Sequence, residues 1–223
     1  MNSLSKVLIK SGHDIYENIV YVVIISIIWF IFIFPAIFVL TPYAGVIYFI
    51  FTSIPAFTAI LYLTRQRIDR KSFSYKLFFT GLKKFYIRTF IYSMLFSIFV
   101  MIPVSSWRYY FQTKTMFTFI IAVIQTYLFI FIILSQVYFL PLLVSENKNL
   151  ISAINMSIKL FLDNGMYTFG SLIQIISVSI LLLVTIVGVP LLWAGMVSIF
   201  LINLYDNLLL KYMNQEEINN LNS

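Results

Sequence analysis

Apolar and polar positions along this chain alternate in long blocks, not in the short periods of a soluble domain. An apolar helix needs about 20 residues to cross roughly 30 Å of hydrocarbon. Six blocks meet that length, at about 19–41, 44–64, 89–107, 116–144, 166–187 and 191–210. Prolines lie inside or at the ends of several of them (Pro35, Pro55, Pro103, Pro141, Pro190). Neighbouring helices can satisfy the carbonyl that such a proline frees, so these positions predict kinks and not breaks. The block at 116–144 is longer than one crossing requires, which predicts tilt or protruding ends. A re-entrant piece over 188–210 is the alternative to a sixth span.

Three further stretches carry helical periodicity but are too polar to span. Near the N-terminus, Leu4, Val7, Leu8 and Ile15 fall on one face, with Lys6, Lys10 and Asp14 off it. Over Phe73–Tyr86, an apolar face of Phe78, Phe79, Leu82 and Phe85 opposes Lys76, Thr80, Lys83 and Lys84. Over Leu150–Leu162, Ile151, Ile154 and Ile158 oppose Ser152, Asn155 and Lys159. Each predicts an amphipathic helix lying in the headgroup region. Asn164-Gly165 predicts a helix stop. The predicted fold is all-α: one integral membrane domain over residues 1–223, a polytopic bundle of six transmembrane helices. Two cytoplasmic interfacial helices connect spans. A parallel pseudo-repeat is suggested by prolines 48 residues apart (Pro55, Pro103) and 49 apart (Pro141, Pro190), each pair flanking an amphipathic helix.

Composition agrees with the pattern. The chain has 223 residues, 61% apolar and 10% charged, whereas soluble domains carry roughly 25% charged residues. Charge adds direction. Eight of the fifteen basic residues crowd into one segment: Arg65, Arg67, Arg70, Lys71, Lys76, Lys83, Lys84 and Arg88. Six spans put this segment, both termini and the 145–163 segment on one side. That side holds thirteen of the fifteen bases, leaving Arg108 and Lys114 opposite. The positive-inside rule then makes the basic side cytoplasmic and the location the cell membrane. The net charge of +7 therefore reads as topology and not as a nucleic-acid footprint. The same eight bases are candidate contacts for anionic phospholipid headgroups. Trp107 and Trp193 fall at the opposite face, where interfacial anchors belong.

Candidate chemistry is sparse. There is no cysteine and one histidine, His13, which has no metal-ligand spacing around it. No carboxylate pair, phosphate-cradling glycine loop or nucleophile–base set is present, so no enzyme activity and no cofactor or metal is expected. Polar residues inside spans are the default candidates for function. These are Gln125 and Gln136, eleven apart on one helix face; Gln174; and Asn203, Asp206 and Asn207 near the end of the last span. They read either as a polar path or as interhelical hydrogen bonding. Arg88 is the expected partner of Asp206.

Two blocks carry a family resemblance. Asn18 to Trp29 with Ile54-Pro55-Ala56-Phe57-Thr58-Ala59-Ile60-Leu61-Tyr62 is one; Tyr138-Phe139-Leu140-Pro141-Leu142-Leu143-Val144 with Leu150-Ile151-Ser152-Ala153-Ile154-Asn155-Met156-Ser157 is the other. From about Asn18 to Phe200 the chain resembles the YesL-like family of bacterial integral membrane proteins of unknown function. The resemblance implies an accessory role beside carbohydrate-uptake transporters, as part of a transporter complex or through self-association. It brings no functional residues. The second half, with Leu204-Tyr205-Asp206, also resembles the membrane domains attached to glycerophosphodiester phosphodiesterases, whose catalytic portion finds no match here. The sequence supports a non-enzymatic accessory or scaffold component first, and a small-solute permease second. A permease needs a continuous polar cavity at mid-membrane; a scaffold needs a dry, aromatic interior.

Overall fold

The computed structural model of the chain describes residues 3–70 and 75–221, with side chains at all of these but 69, 70, 75 and 213–221. Among the described residues it is all-helical. The elements are α1 (Leu4–Glu17), α2 (Ile19–Phe38), α3 (Pro42–Arg70), α4 (Tyr75–Thr113), α5 (Met116–Ser135), α6 (Phe139–Glu146), α7 (Leu150–Asp163), α8 (Gly165–Val184) and α9 (Ala194–Leu221). A π-helical turn, Val189–Trp193, leads into α9. Six segments are long and apolar enough to cross a membrane: α2, α3, α4, α5 with α6, α8, and the π-turn with α9. The chain is a multi-pass membrane protein.

Proline decides two boundaries. Pro42 opens α3 at the first helical position, where its missing N–H costs nothing. Pro141 breaks the fourth span, which the sequence predicts as one helix over 116–144. A proline ring clashes with the carbonyl four residues back, here that of Val137. The helix stops after Ser135 and restarts at Phe139. The Ser135 carbonyl, freed by the break, accepts from the Ser157 hydroxyl of α7 at 2.7 Å. By contrast, α3 and α4 run through Pro55 and Pro103 without interruption.

A second correction concerns the amphipathic stretch after the basic turn. It is not a separate interfacial helix. From Tyr75 onward it continues into the third span as one helix of 39 residues. At 1.5 Å per residue that is roughly 58 Å, nearly twice the hydrocarbon thickness. Nothing in Phe85–Thr89 stops a helix; the Thr89 hydroxyl bonds back to the Phe85 carbonyl at 3.0 Å. In the second half, Asn164 does stop α7. Its backbone N–H reaches the Leu160 and Phe161 carbonyls, and α8 starts at Gly165. The two halves therefore share a pattern but not a break.

Burial is uneven. In the most apolar stretch of each span, 61% of residues are buried in α9 and 50% in α3, against 17% in α4, α5 and α8. Helix α9 is the hub. Its Phe200, Leu201, Leu204, Tyr205 and Leu208 pack with Leu61 of α3 and with Phe139, Leu142 and Leu143 of α6. This core lies at the end of the bundle that carries the basic segment, called the basic end below. Towards the far end, where the turns 39–41, 114–115 and 185–188 lie, α4, α5 and α8 are largely exposed, as lipid-facing helices are. Helix α1 buries Val7 and Ser11 and docks on α9.

Ile186 has φ 56° and is 81% exposed. A β-branched residue in the left-handed region is strained, with a cost of order 1–3 kcal/mol. Glycine adopts that conformation freely. Ile186→Gly is therefore expected to stabilise the protein by about 1 kcal/mol, read as a rise in the midpoint of thermal unfolding in detergent.

Candidate functional site

The polar residues of α9 are spent on holding helices together. Asn203 donates to the Ser11 hydroxyl at 3.1 Å and to Asp14 Oδ2 at 2.7 Å, pinning α1. Asp206 pairs with Arg65 of α3 at 2.6 Å. Asn207 donates to the Tyr167 hydroxyl of α8 at 2.8 Å. Three positions within one helical turn thus clamp three different helices. The ionic partner differs from the expected one: Arg88 turns instead to the α6–α7 turn, donating to Asn147 Oδ1 at 3.2 Å and to the Lys148 carbonyl at 3.1 Å. Arg65 wins because it leaves α3 beside α9, whereas α4 contacts α3, α5 and α7.

The clamp continues around the basic end. The buried Tyr205 hydroxyl donates to Glu146, and Lys148 pairs with Glu146 at 2.7 Å. Lys211 donates to Asn164 Oδ1 at 2.7 Å, and the Asn164 amide donates to the Tyr212 hydroxyl at 3.0 Å. Deeper in, Tyr138 and Thr168 share a hydrogen bond at 2.8 Å, Thr64 and Ser198 share one at 3.0 Å, and the Gly195 amide donates to Ser26 at 2.8 Å. The sequence pointed to the amides of α9 but not to these hydroxyls. Small polar residues in spans are the signal that would have found them.

The three glutamines do not converge. Gln125 accepts from the Ser106 hydroxyl at the far end of the α4–α5 seam, beside the Trp107–Thr126 bond at 2.9 Å. Gln136 lies lower on the same seam, in the α5–α6 break. There it lines a pocket of about 240 Å³ with Tyr92, Phe96 and Phe131. Its Nε2 reaches Ser135 at 3.3 Å and its Oε1 is buried without a hydrogen-bond partner. Between the two glutamines the seam is apolar, closed by Phe96 against Phe129 at 6.1 Å. Gln174 lies elsewhere, in a pocket of about 150 Å³ between α1, α8 and α9.

The basic cluster also divides. Arg65 and Arg88 serve the clamp, and Arg67 lies over the Tyr21 ring at 5.5 Å while donating to Asn18 at 3.4 Å. Lys76, Lys83 and Lys84 are exposed on the first turns of α4, Lys84 reaching over the Phe85 ring at 5.0 Å. The side chain of Arg70 and the whole of Lys71 lie outside the described residues. His13 is exposed and sits 3.1 Å from Glu17. No group of three or more His, Cys, Asp or Glu side chains that could hold a metal occurs among the described residues.

One large void is of another kind. A crevice of about 700 Å³ opens in the far half of the bundle between α2, α3, α4 and the π-turn. Its floor holds Trp29 and Trp193, whose rings lie tilted against each other with centroids 4.8 Å apart. Trp193 is thus not an interfacial anchor: it faces inward, packs on Phe57 and donates to Ser179 at 2.7 Å. The crevice rim includes the exposed Ile37, Val46, Phe49 and Met101, so it opens sideways. No protein-family model matches the chain, and neither does any curated protein or solved structure.

Proposed function

We propose that this protein is a non-enzymatic scaffold or accessory component of a membrane assembly concerned with solute uptake, and that its termini are cytoplasmic. The carrying observation is the fate of the polar residues. Asn203, Asp206, Asn207 and Gln125 each bond to a side chain of another helix, and the large crevice is lined mainly by apolar side chains. A permease path would need polar groups in series across the bilayer. Here Gln125 and Gln136 are separated by packed aromatics, and Gln174 lies on the other side of the bundle. The resemblance to YesL-like proteins supports a place beside carbohydrate-uptake transporters. The split of thirteen bases against two supports the orientation.

The exposed apolar faces of the far half offer the contact surface. On α8, Ile180, Leu181, Leu183 and Val184 project outward over one stretch. A photo-crosslinking residue at Leu181, 68% exposed, is expected to yield one discrete heavier protein adduct in cells. The same residue at the buried Ala122 should yield none. Lipid adducts alone at Leu181, and likewise at exposed positions of α5, would contradict a scaffold.

A further inference from the structure

The α4 face that lines the crevice continues to a charge. Ser97, Met101, Val104 and Arg108 recur at spacings of four, three and four, which places them on one face of the helix. Ser97 and Met101 line the crevice over Trp29 and Trp193. Val104 and Arg108, further along the same face, line a second groove of about 670 Å³ with Phe111 and, from α5, Phe129. From Ser97 to Arg108 is roughly 16 Å along the axis, close to the ~15 Å depth of one hydrocarbon leaflet. The track thus runs from mid-membrane to the surface, apolar below and cationic at its outer end.

Two of the three serines that line the crevice are bonded to backbone carbonyls. Ser93 donates to the Ile50 carbonyl at 2.6 Å, and Ser97 to the Ser93 carbonyl at 2.7 Å. An apolar cavity does not hold water, and an unfilled one forfeits the dispersion contacts of its walls. Arg108 is exposed, and among the described residues no carboxylate lies at the far end. An anionic group from outside would meet it without competition. We infer that this track is a binding site for one anionic phospholipid of the far-end leaflet, its phosphate on Arg108 and one acyl chain in the crevice beneath. The inference is separate from the scaffold role, which does not require it.

The chain's three tryptophans make the test direct. In a Trp107→Phe background the remaining emission comes from Trp29 and Trp193 on the crevice floor. The protein is reconstituted in phosphatidylcholine vesicles that contain a minor fraction of either brominated phosphatidylglycerol or brominated phosphatidylcholine. Bromine on the chain quenches an indole it touches. Phosphatidylglycerol is expected to quench at about fivefold lower concentration, the preference that one basic residue confers on an anionic lipid. Arg108→Ala, a surface change that leaves the fold intact, should bring the two lipids to parity. Ser97→Phe, which plugs the crevice, should remove the quenching by both. Equal quenching by the two lipids in the parent would reduce the site to ordinary boundary lipid and overturn the inference. So would no quenching at all, since the crevice would then be closed by a second copy or by a partner's helix.

Discussion

Gly195→Val is expected to cost about 3 kcal/mol or more, the upper range for forcing volume into a packed core. Gly195 opens the buried part of α9 where it crosses α2. A Cβ built there would lie 2.7 Å from the Val22 carbonyl oxygen and 2.9 Å from the Val22 Cα. Both are backbone atoms, which no rotamer change can move aside. The crossing also carries the bond from the Gly195 amide to Ser26, which separation of the helices would stretch. Small residues are what allow membrane helices to approach this closely. Gly165→Ala is the control: its Cβ would meet nothing within 4 Å. Thermal unfolding in detergent should show a large loss for the first and none for the second. Equal midpoints would mean that α2 and α9 do not cross at Gly195.

Leu142→Ala should follow closely, at about 2–5 kcal/mol, the range for truncating a fully buried leucine. Leu142 is 0% exposed and belongs to the core that α6 shares with α3 and α9. Within a membrane protein this is a sharp contrast, because many apolar side chains of the spans, Leu181 among them, are exposed. In the isolated protein Leu181→Ala on α8 loses only contact with detergent or acyl chains, which are as apolar as the residue itself. Its midpoint should stay near that of the parent. A similar loss at both sites would mean that the basic end is not the core.

The six spans were legible because lipid imposes one length on apolar blocks. What lay inside the bundle was harder to see. Apolarity does not report burial here. α3 and α8 have the same mean hydropathy, 2.0, yet 50% of one and 17% of the other is buried, and the last span is the least apolar of the six and the most buried. Asn203, Asp206 and Asn207 were therefore the correct signal for the hub, although they mark a clamp and not a path. The choice of Arg65 over Arg88 depends on which helices touch, which spacing along the chain does not reveal. The break at 136–138 was readable from Pro141 and its clash with residue 137. The continuity of α4 was not, because a change from polar to apolar composition resembles a boundary even where no residue stops the helix. The crevice is lined from α2, α3, α4 and the π-turn together, so it has no local signature.

In a scaffold the intramembrane glutamines line no shared water path. The chain has no cysteine, so single cysteines report without background. Gln125→Cys, Gln136→Cys and Gln174→Cys are each exposed to a charged, membrane-impermeant thiol reagent in sealed vesicles of both orientations, with the exposed Lys83→Cys as the positive control. Lys83→Cys should react fully in vesicles that present the basic end to the reagent, and the three others should react in neither orientation. Reaction at all three glutamine positions, slowed by an added solute, would contradict the scaffold reading and make the protein a permease.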